Sequence, residues 1–309
     1  MFATNNVLKN YELKQLTTLK IGGKAKAAFI PATIEKMAEI IIGCNIKHNN
    51  YEIIGAGSNL LISSEGIKDT TIITRKLTNI TQLDDDRVQA ECGVKSSTFA
   101  KFIYEMGLEG GEFLIGIPGS IGGAVYMNAG AHGQNVKDII ESVKILDLTT
   151  NTVKELSVND MYFNYRSSIF ADKNYKILSA TFKMDKGDKD KIKEKMDFHV
   201  NYRAEHHPPL TEYSAGSTFR NPEGDFAANL LEKVGAKKYI ENGKVRFSVK
   251  HANFLYNFND ATSLDVVRLM YKMWDRVNSK FGIKLHPEIK FIGNKTDEET
   301  ELWKLMTKL

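Results

Sequence analysis

Residues 116–133 read GIPGSIGGAVYMNAGAHG, and a shorter glycine stretch, residues 55–61, reads GAGSNLL. Between Gly107 and Gly133 the chain places nine of its 23 glycines. Glycine concentrated in this way marks backbone that approaches something closely, or loops that need positive φ. The N–H donors of 116–133, with Ser120 and Asn128 interleaved, can wrap a diphosphate and a flat polar ring. A tight connection with small residues at a packing seam is the plainer reading. GAGSNLL follows a β-prone run, Tyr51–Ile54, so its N–H groups can converge on an anion; an ordinary tight turn explains it equally well. It is not a dinucleotide fingerprint, because Leu60 stands where the third glycine is needed. No GxxxxGK[ST] occurs, which argues against a P-loop NTPase.

Outward from these loops the pattern is mixed. Thr33 caps a helix predicted to run to about Gly43, with Met37, Ile40 and Ile41 on one face. A second predicted helix is capped by Ser97, has Phe99, Phe102, Ile103 and Met106 as its apolar face, and stops at Gly107. Strands are predicted at Thr70–Thr74, Val143–Thr149, Val153–Leu156 and Lys176–Met184. The charged stretch KGDKDKIKEKMDFHVNYRAEHHPP carries Ile192, Met196 and Val200 at helical spacing and ends at Pro208-Pro209, where a domain boundary is expected. Ser263 opens the most convincing helix, with Leu264, Val267, Tyr271, Trp274, Val277 and Phe281 at helical intervals and Gly282 as its stop.

A chain of 309 residues has room for two or three packed units. Lys+Arg (42) barely exceed Asp+Glu (38), so the net charge gives no reason to expect nucleic acid. Cys44 and Cys92 form neither a CxxC pair nor a disulfide framework, as in a reducing compartment. No apolar run reaches the roughly 20 residues of a membrane span, and the N-terminus lacks a signal-peptide core; a cytoplasmic location is expected. The seven histidines show no paired-ligand spacing, so no metal is expected, and His206-His207 reads as a polar turn.

GAGSNLL and GIPGSIGGAVYMNAGAHG, together with TTLKIGGKA at residues 17–25, resemble the UDP-N-acetylenolpyruvoylglucosamine reductases (MurB), a family of vanillyl-alcohol-oxidase-like flavoproteins. The resemblance runs from about Leu16 to Gly293 and, in a chain this short, is to the type II branch. It implies an α+β fold: a PCMH-like FAD-binding unit of two subdomains, 1–70 and 71–195, plus a C-terminal αβ substrate domain, 196–309. It implies FAD held by Gly55, Gly57, Ser58, Asn59, Leu60, Gly116, Pro118, Gly119, Ser120, Gly122, Gly123, Asn128 and Gly130. NADPH is the implied reductant, and flavin N5 the source of hydride. A nucleotide sugar is the implied substrate, with no membrane insertion or obligate protein partner.

Hydride addition to an enolpyruvyl group leaves negative charge on the neighbouring carbon and carboxylate, so such a site needs groups that stabilise the charge and an acid that quenches it. Arg166 in FNYRSSIF matches the family's catalytic arginine, and a guanidinium can grip a carboxylate through two parallel bonds. Ser217 in SAGSTFRNP matches its proton donor, and Glu288 in LHPEIKFIG its catalytic glutamate. Residue by residue, a surface arginine, a turn serine and an exposed glutamate are the bland alternatives. Tyr165 and Asn221 are expected to contact substrate, and SVKHANF at 248–254 resembles a further family segment. His206-His207-Pro208-Pro209, Tyr213 and Asn229 depart from common family residues, which bears on the UDP contacts. An FAD-dependent oxidase or dehydrogenase of a hydroxy acid or sugar, and a non-catalytic binding module, are the competing expectations.

Overall fold

In a computed structural model, the structure describes residues 7–172 and 174–308. The chain divides into two compact units, and neither is a single stretch of sequence. The first is built mainly from 29–56 and 72–203; the second gathers 8–28, 57–71 and 204–309.

The first unit centres on an antiparallel five-stranded sheet in the order Thr152–Ser157, Ile140–Asp147, Tyr175–Lys183, Arg87–Glu91, Ile80–Gln82. Alternation along its strands sends Val143, Ile145, Ala180, Phe182, Val88 and Ala90 into one core. Helices Ile34–Ile46 and Ser96–Glu105 contribute Met37, Ile41, Phe99 and Ile103 to it. Phe99 meets Phe182 with ring centroids 4.5 Å apart. The strand Tyr51–Ile54 falls where expected and leads straight into Gly55, with the Ile54 carbonyl accepting from the Thr74 N–H at 3.0 Å.

The second unit holds an antiparallel sheet in the order Tyr213–Ser217, Phe254–Asn257, Val245–Phe247, Ile240–Glu241. Helix Ser263–Phe281 packs into the same core. Thr262 and Asp265 cap each other's backbone at its start, and Gly282, at φ 70°, ends it. Leu19, Ile21 and Leu61 are buried in this core too, and Leu60–Ile62 runs parallel to Lys290–Ile292. That pairing, with Asn257 Nδ2 donating to the Leu19 carbonyl at 3.0 Å, draws early segments of the chain into the C-terminal unit.

Several expectations need correction. Helix Ile34–Ile46 passes through Gly43, because Cys44 packs in the core and Asn45 Nδ2 donates to the Leu148 carbonyl at 2.9 Å. Ser97 lies inside its helix rather than capping it; the start is set by the Ser96 N–H donating to the Gly119 carbonyl at 3.1 Å. The charged stretch is one helix, Lys189–His206, so the expected boundary at 195/196 falls inside a continuous element. Its buried face is Ile192, Met196 and His199, while Val200 is exposed. The long helix buries Val266, Val267, Leu269, Met270, Met273, Trp274 and Val277, a stripe rotated from the one expected.

Candidate active site

Arg166 sits at the corner of a tight turn in the first unit. Asn164 and Ser167 exchange both backbone hydrogen bonds, at 3.0 and 3.1 Å, and Arg166 takes φ of 52°. The turn is fastened to the second glycine stretch three times. Asn128 Nδ2 donates to the Asn164 carbonyl at 3.1 Å, Ser168 Oγ to the Tyr126 carbonyl at 2.7 Å, and Arg166 Nη2 to the Gly130 carbonyl at 3.2 Å. Tyr165, about half exposed, lies under the guanidinium, 5.2 Å from its ring centroid.

The second glycine stretch is not loop throughout. Ile121–Tyr126 is a short helix capped by Ser120, whose Oγ accepts from the Gly123 N–H at 3.4 Å. Its glycines serve different ends. A Cβ on Gly122 would come within 2.8 Å of Cys92, and one on Gly130 within 2.3 Å of the Gln134 carbonyl oxygen, so the protein's own packing demands glycine there. A Cβ on Gly55 would reach 2.6 Å from Ser120 Oγ, which means that the Gly55 end of GAGSNLL touches the second stretch. Gly123 is different: a Cβ there would meet nothing closer than 3.5 Å. Glycine at 123 keeps a helix face bare without relieving any clash, so a flat group can approach the backbone there; the N–H groups of Ile121, Gly122 and Gly123 are already taken by the Val94 and Cys92 carbonyls and by Ser120 Oγ.

In the second unit, Ser217 ends its strand after a bulge in which Gly216 takes φ of 74°. The chain then pairs with the glutamate segment. The Glu288 N–H donates to the Thr218 carbonyl at 2.8 Å, the Arg220 N–H donates to the His286 carbonyl at 2.9 Å, and Phe219 stands opposite Pro287. Ser217 and Glu288 therefore lie on adjoining segments; Arg166 belongs to the other unit. Asn59 braces the glutamate, with Nδ2 donating to the Glu288 carbonyl at 3.1 Å and its own carbonyl accepting from the Lys290 N–H at 3.0 Å. Gly57, at φ 67°, lies so close to the Leu16 carbonyl that a Cβ would come within 2.0 Å.

Charge around Glu288 is positive. Burial holds the His286 imidazole and the Lys290 ammonium below their usual pKa, and Arg220 lowers both further; Glu288 acts on Lys290 in the opposite sense. Such surroundings favour an anionic ligand. Asn221 Oδ1 accepts from the Ala227 N–H at 3.1 Å and so also organises the next helix.

With this geometry in view, comparison with known proteins is decisive. Residues 208–292 match the family profile described as UDP-N-acetylenolpyruvoylglucosamine reductase, C-terminal domain, and residues 25–157 match an FAD binding domain. UDP-N-acetylenolpyruvoylglucosamine reductase of Caldicellulosiruptor saccharolyticus is 40% identical over 303 residues, covering 97% of this chain and 96% of that protein. The chain belongs to the UDP-N-acetylenolpyruvoylglucosamine reductase family. The reductase of Lachnoclostridium phytofermentans is likewise 40% identical, over 96% of each chain. The crystal structure of the Thermus caldophilus reductase superposes with a TM-score of 0.76 at 27% identity, covering 91% of this chain and 97% of that one.

Two features of this family member escape a sequence reading. Asn253 is buried, its Oδ1 accepting from the Phe219 N–H at 2.9 Å and its Nδ2 donating to the Phe219 carbonyl at 2.7 Å, while its own carbonyl accepts from the Thr218 N–H at 2.7 Å. It clamps the two residues that follow Ser217; the SVKHANF segment that contains it marks the stretch but gives no sign that this side chain turns back on Phe219. His207 is not simply a polar turn residue: its ring stacks on Phe254 with centroids 4.9 Å apart. Among the described residues, no group of three or more His, Cys, Asp or Glu could hold a metal ion, and no helix is long and apolar enough to cross a membrane.

Proposed function

We propose that the chain carries out the FAD-dependent reduction of UDP-N-acetylglucosamine enolpyruvate to UDP-N-acetylmuramate, a step in peptidoglycan precursor synthesis, with Arg166, Ser217 and Glu288 as its catalytic residues. FAD, when bound, would supply the two-electron chemistry, with NADPH as the reductant. The glycines of the two stretches, 55–60 and 116–130, would hold that cofactor, and the bare face at Gly123 supports this.

The remaining roles fall to side chains. The Arg166 guanidinium grips the substrate carboxylate and stays cationic while charge develops. Glu288 is the second side chain proposed to stabilise the charge that develops on the enolate. Ser217 Oγ delivers the proton, helped by the positive field of Arg220 and Lys290, which stabilises the alkoxide left behind. Tyr165 and Asn221 complete the proposed substrate contacts. The bond between the Glu288 N–H and the Thr218 carbonyl carries this reading, because it sets two matched catalytic motifs side by side. An oxidase on the same scaffold has no carbanion to protonate and would leave Ser217 idle. A precursor step that draws on NADPH belongs in the cytoplasm, where the two buried free cysteines, Cys44 and Cys92, would stay reduced.

The test separates the half-reactions. Ser217→Ala should be reduced by NADPH at nearly the parent rate, while reoxidation by the enolpyruvyl substrate slows by about 10²–10⁴-fold in anaerobic stopped flow. Equal slowing of both halves would overturn the assignment.

A further inference from the structure

Asn128 lies in the stretch taken to hold the cofactor, yet its polar atoms point elsewhere. It is 2% exposed, takes φ of 42°, and its backbone N–H donates to the Val125 carbonyl at 3.1 Å. Its side chain is used at both ends. Oδ1 accepts from the Lys137 N–H at 3.1 Å, and Nδ2 donates to the Asn164 carbonyl at 3.1 Å. Left-handed backbone is unfavourable for residues other than glycine, with asparagine among those that tolerate it. A residue held there, buried and with its amide satisfied at both ends, is suited to fixing one piece of backbone against another.

That piece is the catalytic turn. Asn164 lies two residues before Arg166 and forms one half of the bridge that closes the turn. The other ties cannot replace this one. Ser168 fastens the far side, and the Arg166 bond to the Gly130 carbonyl uses the same guanidinium that must turn to substrate. Asn128 holds the near side without involving the reactive group. We propose that Asn128 is a positioning residue for Arg166, acting through the Asn164 carbonyl and not as a ligand of the cofactor; the inference rests on the reading that Arg166 stabilises charge on the substrate.

Two variants separate the possibilities. Asn128→Gly removes the amide while sparing the left-handed backbone. Asn128→Asp keeps the acceptor for Lys137 but can donate to the Asn164 carbonyl only when protonated. Both are expected to bind FAD, titrated into apoprotein, with the parent affinity, and to be reduced by NADPH at the parent rate. Reoxidation by the enolpyruvyl substrate should slow by about 10–100-fold, as for a catalytic group displaced by a fraction of an ångström. The amides of Tyr165, Arg166 and Ser167 should exchange faster with deuterium. The Asp variant should regain rate as pH falls and its carboxyl gains a proton, whereas the Gly variant should not. In an Arg166→Ala background, Asn128→Gly should slow reoxidation by less than about twofold more, because residues acting through one another are not additive. If Arg166→Ala itself leaves reoxidation intact, the arginine reading fails and this proposal falls with it. If Arg166→Ala slows reoxidation but Asn128→Gly multiplies the loss, weakens FAD binding or changes nothing, the arginine keeps its role and the positioning proposal is wrong.

Discussion

Asn253 satisfies both backbone groups of Phe219 with one side chain, in a setting that is itself fully buried. Removing it strands a buried N–H and a buried carbonyl, each costing about 1–3 kcal/mol when unpaired. Asn253→Ala should therefore lower stability by about 2–6 kcal/mol in urea denaturation, and the surviving folded protein should show slower proton delivery at Ser217. A variant with parental stability would mean that water or a backbone shift makes good the loss. Arg166, Ser217 and Glu288 can be proposed from the sequence because each sits in a long motif whose residue types suit one chemistry. The clamp made by Asn253 cannot, since a satisfied buried amide and an exposed one look alike until the partner strand is in place. The same holds for Asn59 and Asn128, whose glycine-rich settings point to a ligand while their side chains tie backbone to backbone.

Helix Lys189–His206 shows how an element's reading can be right in kind and wrong in face. Steps of four residues put Val200 on the stripe after Ile192 and Met196, but at 3.6 residues per turn the buried position is His199. Its ring lies against His132, with centroids 4.9 Å apart. Burial pushes its pKa down, His132 adds to the fall, and Glu112, itself paired with Lys195 at 3.3 Å, opposes it. A histidine kept neutral in the fold loses nothing above its unfolded pKa of about 6.5. Below that pH the unfolded chain binds a proton that the folded one resists, so stability drops as pH falls toward the lowered folded value. His251 and His286 carry the same sign, so the informative quantity is a difference. The gap in urea midpoint between the parent and His199→Gln should narrow, or reverse in favour of the variant, between pH 7.5 and 5. A gap that stays constant over that range would show that His199 titrates alike in both states.

At the scale of the whole molecule, helix periodicity and strand alternation are local signals and describe one contiguous stretch at a time. They locate most elements here, and they say nothing about which distant stretches share a core. The second unit depends on such sharing: Leu19, Ile21 and Leu61, all at most 1% exposed, complete a core otherwise made from residues after 204. The parallel pairing of Leu60–Ile62 with Lys290–Ile292 has no counterpart in sequence spacing. A chain beginning at Ala204 would lack all of these, removing part of that core and leaving the strand after Glu288 unpaired. It should show no cooperative urea transition, although it spans the whole profile-matched region 208–292. In the full chain, Leu61→Ala should cost about 2–5 kcal/mol as a large-to-small core change. That loss should appear as reduced amide protection in helix Ser263–Phe281, far along the chain from the substitution. A sharp unfolding transition in the chain from Ala204, or unchanged protection of that helix in Leu61→Ala, would show that the C-terminal residues build their core alone.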